Sequence, residues 1–188
     1  ISFQEVDSVW AQVLSQGLRA LYPYHRIEPQ HDCYGIAVFS KMPMLGTEVM
    51  HLGERPAVTA VVKTAEGLVR FFAVHATSPG SHSEFHDRDL QLRQLVKVVA
   101  ASDTPTVVIG DLNTVNWDSA FRELCTKADL RECADCPSAT WPSMAGMAMV
   151  PLDHVLVTPM LGVLSKSTFF IPGSDHRGLL AQIAYARP

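Results

Sequence analysis

Five short segments of this 188-residue chain end in side chains suited to acid–base or metal chemistry. "ISFQE" ends at Glu5, and "RFFAVH" ends at His75. "TVVIGDLN" ends at Asp111 and Asn113, and "PLDHVLV" carries Asp153 near its start. "GSDHRG" places Asp175 and His176 just before a last apolar run. Carboxylates are ligands for hard divalent cations, and imidazole gains and loses a proton near neutral pH. A carboxamide donates and accepts hydrogen bonds without charge. Singly, each residue has an ordinary reading. Glu5 is then a solvated strand end, His75 a histidine at a core edge, Asp175 a turn residue, and Asp111 with Asn113 an Asx-turn. Jointly they are polar endings on five otherwise apolar segments. Sheets bring such endings to a common rim, and loops on a rigid scaffold are where catalytic groups collect.

The elements that must position them follow from apolar spacing. "ISFQEV" reads as a strand, and Asp7 or Ser8 caps a helix in which Val9, Trp10, Val13, Leu14, Leu18 and Leu21 share one face. Tyr22-Pro23 ends that helix. "YGIAVFSK", "TEVMHLG", "PAVTAVVKT" and "LVRFFAVHA" are strand-like, with a hairpin turn at "AEG". A polar loop, "TSPGSHSEFH", leads to a helix from Asp87 to Ala101 with Leu92, Leu95, Val96 and Val99 as its stripe. "TPTVVIG" is a strand, "WDSAFRELCTKA" a helix capped by Asp118, and "PLDHVLVTP", "LSKSTFFI" and "GLLAQIAYA" close the chain as strands. No repeat or linker divides residues 1–188. Runs of strands separated by single helices predict an α/β sandwich: two mixed sheets face to face with helices outside.

Composition narrows the function classes. Fifteen basic residues stand against nineteen acidic ones, a net charge of -4. No basic patch is announced, so any nucleic-acid contact must be local. No apolar run reaches the ~20 residues of a transmembrane helix, and the compartment stays open, with cytoplasmic, exported and membrane-tethered locations all compatible. The "CADC" of Cys133 and Cys136 lacks the second pair that a zinc site needs. It leaves free thiols or, in an exported protein, a disulfide within this pair or with Cys125. His82 and His86 have zinc-helix spacing, but no Glu adjoins His82 and the polar context favours a solvated loop. "WPSMAGMAMVP" is expected to pack Met144, Met147 and Met149 on the sandwich edge, with an apolar lip for a lipid or nucleobase as its rival.

"QEV", "GIAVFSK", "VH", "GDLN", "LDHVLV" and "SDHRGL" occur in this order. The whole chain thereby resembles the endonuclease/exonuclease/phosphatase superfamily of DNase I-like fold, and in texture its bacterial members of unknown substrate. The resemblance implies a four-layer α/β/β/α sandwich of two mixed, largely antiparallel sheets. It implies hydrolysis of a phosphodiester or phosphomonoester by in-line attack of water, with Mg2+ or Mn2+. Glu5 and Asp175 become the metal carboxylates, and His176 the catalytic histidine, oriented by Asp153. Asp111 would orient the attacking water. Asn113 and His75 would contact phosphate oxygens, and Arg177 is either a substrate contact or a surface arginine. A nuclease on DNA or RNA is the nearest alternative. A non-catalytic phosphate-binding module is a third, against which the complete set of polar residues speaks. The family's first strand, which ends in an Asn, has no counterpart before Ile1. The expectation is a domain lacking that strand, with an open sheet edge beside Ile1–Val6 at which the chain self-associates.

Overall fold

A computed structural model describes residues 1–132, 138–144 and 147–186. In chain order the elements are β1 (Ser2–Gln4), α1 (Ser8–Leu18), β2 (Tyr24–Glu28), β3 (Ile36–Ser40), β4 (Met44–Leu52), β5 (Arg55–Lys63) and β6 (Leu68–His75). There follow α2 (His82–Ala100), β7 (Thr106–Asp111), α3 (Ser119–Lys127), β8 (Asp153–Val157), β9 (Leu161–Phe169) and β10 (Gly178–Tyr185).

A five-stranded sheet of order β4-β5-β6-β7-β8 forms the centre. Its only parallel pair is β6 with β7. That pairing requires a crossover, which α2 supplies. Alternate residues of the central strands serve different cores. Phe72, Val74, Val108 and Leu156 face α2 and α3, where they meet Leu92, Leu95, Val99, Phe121 and Leu124. Val69, Val107, Val155 and Val157 face the other way, toward Val163, Leu179, Ala181 and Ile183 of β9 and β10. Ile36 and Val38 of β3 pack on Val58 and Ala73 from the same side. Beyond them, Ala11, Leu14 and Leu18 of α1 pack against Val6, Ala37 and Phe39. The layers are thus α1, the smaller sheets, the central sheet, and α2 with α3. The smaller layer is divided into a three-stranded sheet, β1-β3-β2, and a β9-β10 hairpin. Among the described residues β1 pairs only with β3, and β10 only with β9.

Four local expectations are corrected. β2 was not anticipated, because Tyr24–Glu28 has no apolar alternation and its first three residues are exposed. On α1 the partly buried stripe is Ala11, Leu14, Leu18 and then Tyr22, while Val9, Trp10, Val13 and Leu21 are exposed. The apolar residues of this helix occupy two faces, and only one meets a sheet. α2 begins at His82, not Asp87, because Ser81 caps it by accepting from the Glu84 N–H. Ser81-x-x-Glu84 is a capping signature that prevails over the polar composition. His82 and His86 therefore sit on a helix, exposed, and belong to no metal-ligating cluster among the described residues. Cys33 and Cys125 are free thiols, and Cys133 and Cys136 lie outside the described residues.

The close approach of β7 to β6 at Gly110 has a steric requirement. Gly110 has φ +129, and a Cβ there would sit on the Val74 carbonyl oxygen of the neighbouring strand. Only glycine lets β7 run this close to β6 one residue before Asp111. Gly110→Ala should destabilise the fold by about 3 kcal/mol or more. Equilibrium denaturant unfolding checks this, and a loss under ~1 kcal/mol would contradict the clash.

Candidate active site

Strand register assembles the first row of the site. β6 and β7 pair His75 with Asp111, and β7 and β8 pair Asp111 with Asp153. Directly paired residues share a face. All three follow the alternation that points to the smaller sheets, and so they project from one sheet end into the space between the layers. Across that space the turn before β10 delivers His176. Its Nδ1 lies 2.8 Å from Asp153 Oδ2, and its Nε2 lies 3.7 Å from Asp111 Oδ2. His75 Nε2 is 3.9 Å from the same Asp111 oxygen. One buried carboxylate oxygen thus faces two imidazoles.

The turn after β7 completes the row. Asn113 adopts φ 48, and its backbone N–H donates to Asp111 Oδ1 at 2.7 Å. This is the Asx-turn open to the sequence, here built into the site. The Asn113 side chain donates through Nδ2 to the Ala76 carbonyl at 2.9 Å, beside His75. Glu5, at the end of β1, also has a positive φ, of 59, and its charge acts on Asp111. Left-handed backbone at non-glycine residues is uncommon and gathers where function fixes geometry.

Asp175 and Arg177 are held by residues that sequence reasoning did not assign. Asp175 Oδ2 accepts from the Trp141 indole at 3.2 Å, and its carbonyl accepts from the Ser143 N–H at 2.6 Å. The Arg177 N–H donates to the Thr140 carbonyl, and its Nε donates to Thr168 Oγ1. Thr140 Oγ1 in turn accepts from the Leu152 and Asp153 N–H groups. The Met-rich segment therefore hangs on both the Asp153 strand and the Asp175-His176 turn. Its methionines do not pack as expected: Met144, Met147 and Met149 are 69%, 70% and 76% exposed. Tyr34 and Arg55 were also missed. The Tyr34 ring centroid lies 5.0 Å from that of His75, and the Arg55 guanidinium lies 3.5 Å over the Tyr34 ring. No motif marks either one, since each acts through a ring contact made only on folding.

Burial drives the two histidines apart. It pushes His75 down to about 4, with the attraction of Asp153 too weak to offset it, so His75 is neutral at pH 7. Burial also opposes charge on His176, but the hydrogen bond and charge of Asp153, then the charges of Asp111 and Asp175, raise it to about 9. Asp111 is raised to about 8, by burial first and then by Asp153, against the help of His176 and the Asn113 N–H. Asp111, Asp153 and His176 bring ligand atoms within 4.8 Å of one another; Glu5 and Asp175, the carboxylates expected to hold a metal, are not part of this group among the described residues and act by charge on Asp111 and His176 respectively. Carboxylates crowded until one is driven to protonate are a donor set that fits a hard divalent cation.

The family model described as Endonuclease/Exonuclease/phosphatase family matches residues 1–176. Among solved structures, an endonuclease/exonuclease/phosphatase from Beutenbergia cavernae is 21% identical over 93% of this chain, with a TM-score of 0.73. This chain spans 57% of that protein's length. Sphingomyelinase C from Streptomyces griseocarneus is 18% identical, covering 99% of this chain and 85% of its own, with a TM-score of 0.71. D. rerio TDP2 complexed with a single-strand DNA product is 16% identical, covering 97% and 84%, with a TM-score of 0.77. These likenesses are of fold. No curated protein matches the chain.

The titration of the site gives a test that needs no substrate. Asp111 and His176 both hold protons to higher pH in the folded state than their ordinary values of 3.8 and 6.5. Without metal, the folded protein then binds more protons than the unfolded chain from pH 6.5 to about 8 through both groups, and on to about 9 through His176. Through these two groups stability falls as pH rises through that window, while the Ile1 ammonium, lowered from 8.0 by burial, acts in the opposite sense. His75, lowered to about 4, acts in the opposite sense only below 6.5. In chelator, Tm should drop from pH 6.5 to 9. Mg2+ or Mn2+ should raise Tm more at the alkaline end, where it competes with fewer protons. Calorimetry across this range checks both, and a flat or rising Tm in chelator would exclude the arrangement.

Proposed function

Because the chain belongs to the endonuclease/exonuclease/phosphatase family, we propose that it is a divalent-metal-dependent hydrolase of phosphate esters, using water as nucleophile. The observation that carries this is the His176–Asp153 hydrogen bond at 2.8 Å beside a buried Asp111. With its Nδ1 proton donated to Asp153, neutral His176 turns a lone pair at Nε2 toward the Asp111 side. That nitrogen takes the proton of the attacking water, and Asp153 stabilises the resulting imidazolium. Asp111 orients the water. Asn113 spends one amide N–H on Ala76 and keeps the other for a phosphate oxygen. His75, kept neutral by burial, offers an N–H without adding a charge. Its Nδ1 has no hydrogen-bond partner among the described residues. Glu5 and Asp175 would hold Mg2+ or Mn2+, which when bound neutralises charge on the phosphate and the leaving oxygen. Arg177, braced on Thr168, would add a fixed positive charge near a bound phosphate.

For the substrate we favour a small-molecule or lipid-headgroup phosphodiester over nucleic acid. The net charge of -4 and the exposed methionines beside Asp175 support an apolar substrate body. A nuclease is the second reading, supported by the exposed indoles of Trp117 and Trp141, which can stack on bases. Binding that weakens steeply with salt would select the nuclease.

Hydrolysis of bis-p-nitrophenyl phosphate should stop in chelator and return with Mg2+ or Mn2+. His176→Ala and Asp111→Ala should each lower kcat by about 10²-fold to 10⁴-fold. Because neutral His176 is the active form, kcat should rise with pH through its titration, which Asp153 moves above 6.5. Undiminished turnover by His176→Ala, or in chelator, would remove the mechanism.

A further inference from the structure

Two buried side chains outside the cleft, an arginine and a histidine, converge on the turn that carries Asp111 and Asn113. Arg88, on α2, is 2% exposed, and its Nη1 donates to the Asn113 carbonyl at 3.1 Å. His154, on β8, is 1% exposed, and its Nε2 lies 2.8 Å from the Thr114 carbonyl. Two successive carbonyls are thus each held by a buried side chain from a different element. Both come from the helix side of the central sheet. β8 alternates, so Asp153 faces the cleft while His154 turns to the helices, 4.6 Å from the Phe121 ring. The residue before the pair is pinned as well, since the Leu112 N–H donates to the Leu152 carbonyl.

Each has acidic partners of its own outside the cleft. Arg88 pairs with Asp89 and Asp118. His154 Nδ1 lies 3.2 Å from Glu132 Oε1, which also accepts from the buried Lys166 ammonium at 2.7 Å. Both ring nitrogens of His154 face oxygen acceptors, so the ring is held from two sides. Such buried pairs are weak arguments for stability, and holding a particular geometry is one of their attested uses. The geometry in question is the left-handed Asn113, which persists only where its surroundings over-determine it.

We propose that Arg88 and His154 are positioning residues: by holding the Asn113 and Thr114 carbonyls from the helix side, they lock the left-handed turn that aims Asp111 and Asn113 into the cleft. The catalytic part of this rests on the hydrolase reading above, whereas the clamp itself does not.

The decisive comparison is His154→Gln against His154→Asn. The Gln amide nitrogen reaches the position of Nε2 and can still donate to Thr114. The Asn amide reaches only the Nδ1 side, toward Glu132. Arg88→Met removes the other donor, and Lys166→Met is a control that disturbs the Glu132 cluster without touching the turn. Two readouts apply: amide hydrogen exchange at Asn113, and kcat with KM on bis-p-nitrophenyl phosphate in Mn2+. His154→Asn and Arg88→Met should each lose on the order of tenfold in Asn113 protection and in kcat, with KM little changed. His154→Gln and Lys166→Met should stay near the parent in both. Equal behaviour of the Gln and Asn variants, or a loss in Lys166→Met as large as theirs, would overturn the proposal. Should the parent hydrolyse no phosphate ester, the hydrolase reading fails alone, and the exchange data still decide the clamp.

Discussion

The register among β6, β7 and β8 is the constraint on which the site depends. It sets His75, Asp111 and Asp153 side by side, and every other polar group is placed relative to that row. A slip of one residue in either pairing would turn a site residue toward the helices and an apolar residue into the cleft. Two unlike cores prevent it. Val108 and Leu156 must reach Leu95 and Leu124 on the helix side, while Val107 and Val155 must reach Leu179 and Ile183 on the other. The apolar alternation of the strands therefore fixes the position of the carboxylates at their ends.

Given that row, the same burial produces unlike charge states at three neighbouring groups. His75 has no carboxylate in hydrogen-bond contact and is driven neutral. His176 has Asp153 at 2.8 Å and gains basicity despite its burial. Asp111 has negative neighbours on two sides and is driven toward its protonated form. Groups whose environments push their titration apart are suited to separate acid and base roles. On the proposed function, the excess of carboxylate would let an acidic protein take an anionic substrate: the carboxylates of the cleft would hold a divalent cation, which would supply the positive charge that the surface lacks.

The polar residues at strand boundaries were legible in the sequence because each stands next to an apolar run, a contrast visible without any knowledge of pairing. Of the residues marked in this way, the structure brings His75, Asp111, Asn113, Asp153 and His176 together, and the roles assigned to them belong to the proposed function. The supports were not legible. Arg88 reads as one more charge on a helix face, and His154 as a polar interruption in "LDHVLV". Only the folded register shows that one abuts Asn113 and the other Thr114. β2 was missed because an exposed edge strand needs no alternation. The methionines were misjudged because apolar composition alone does not distinguish a packed loop from a lip held out by Thr140, Trp141 and Ser143.

Support for the site converges on α2, an element that contributes no residue to the chemistry. Its apolar stripe of Leu92, Leu95 and Val99 fixes it against the central sheet. Its polar residues then reach the loops at the sheet end. Gln91 accepts from the Thr77 N–H at 2.8 Å and donates to Thr77 Oγ1 at 2.9 Å, holding the chain just past His75. One turn earlier, Arg88 holds the chain just past Asp111. Residues three apart on a helix lie on the same face. A single rigid face thus sets the spacing of two loops that emerge from parallel neighbouring strands. The crossover that makes β6 and β7 parallel is also what packs this helix against them. The topology that brings His75 beside Asp111 and the hydrogen bonds that keep them there therefore have one source, and a change in how α2 seats on the sheet would be felt at both residues together.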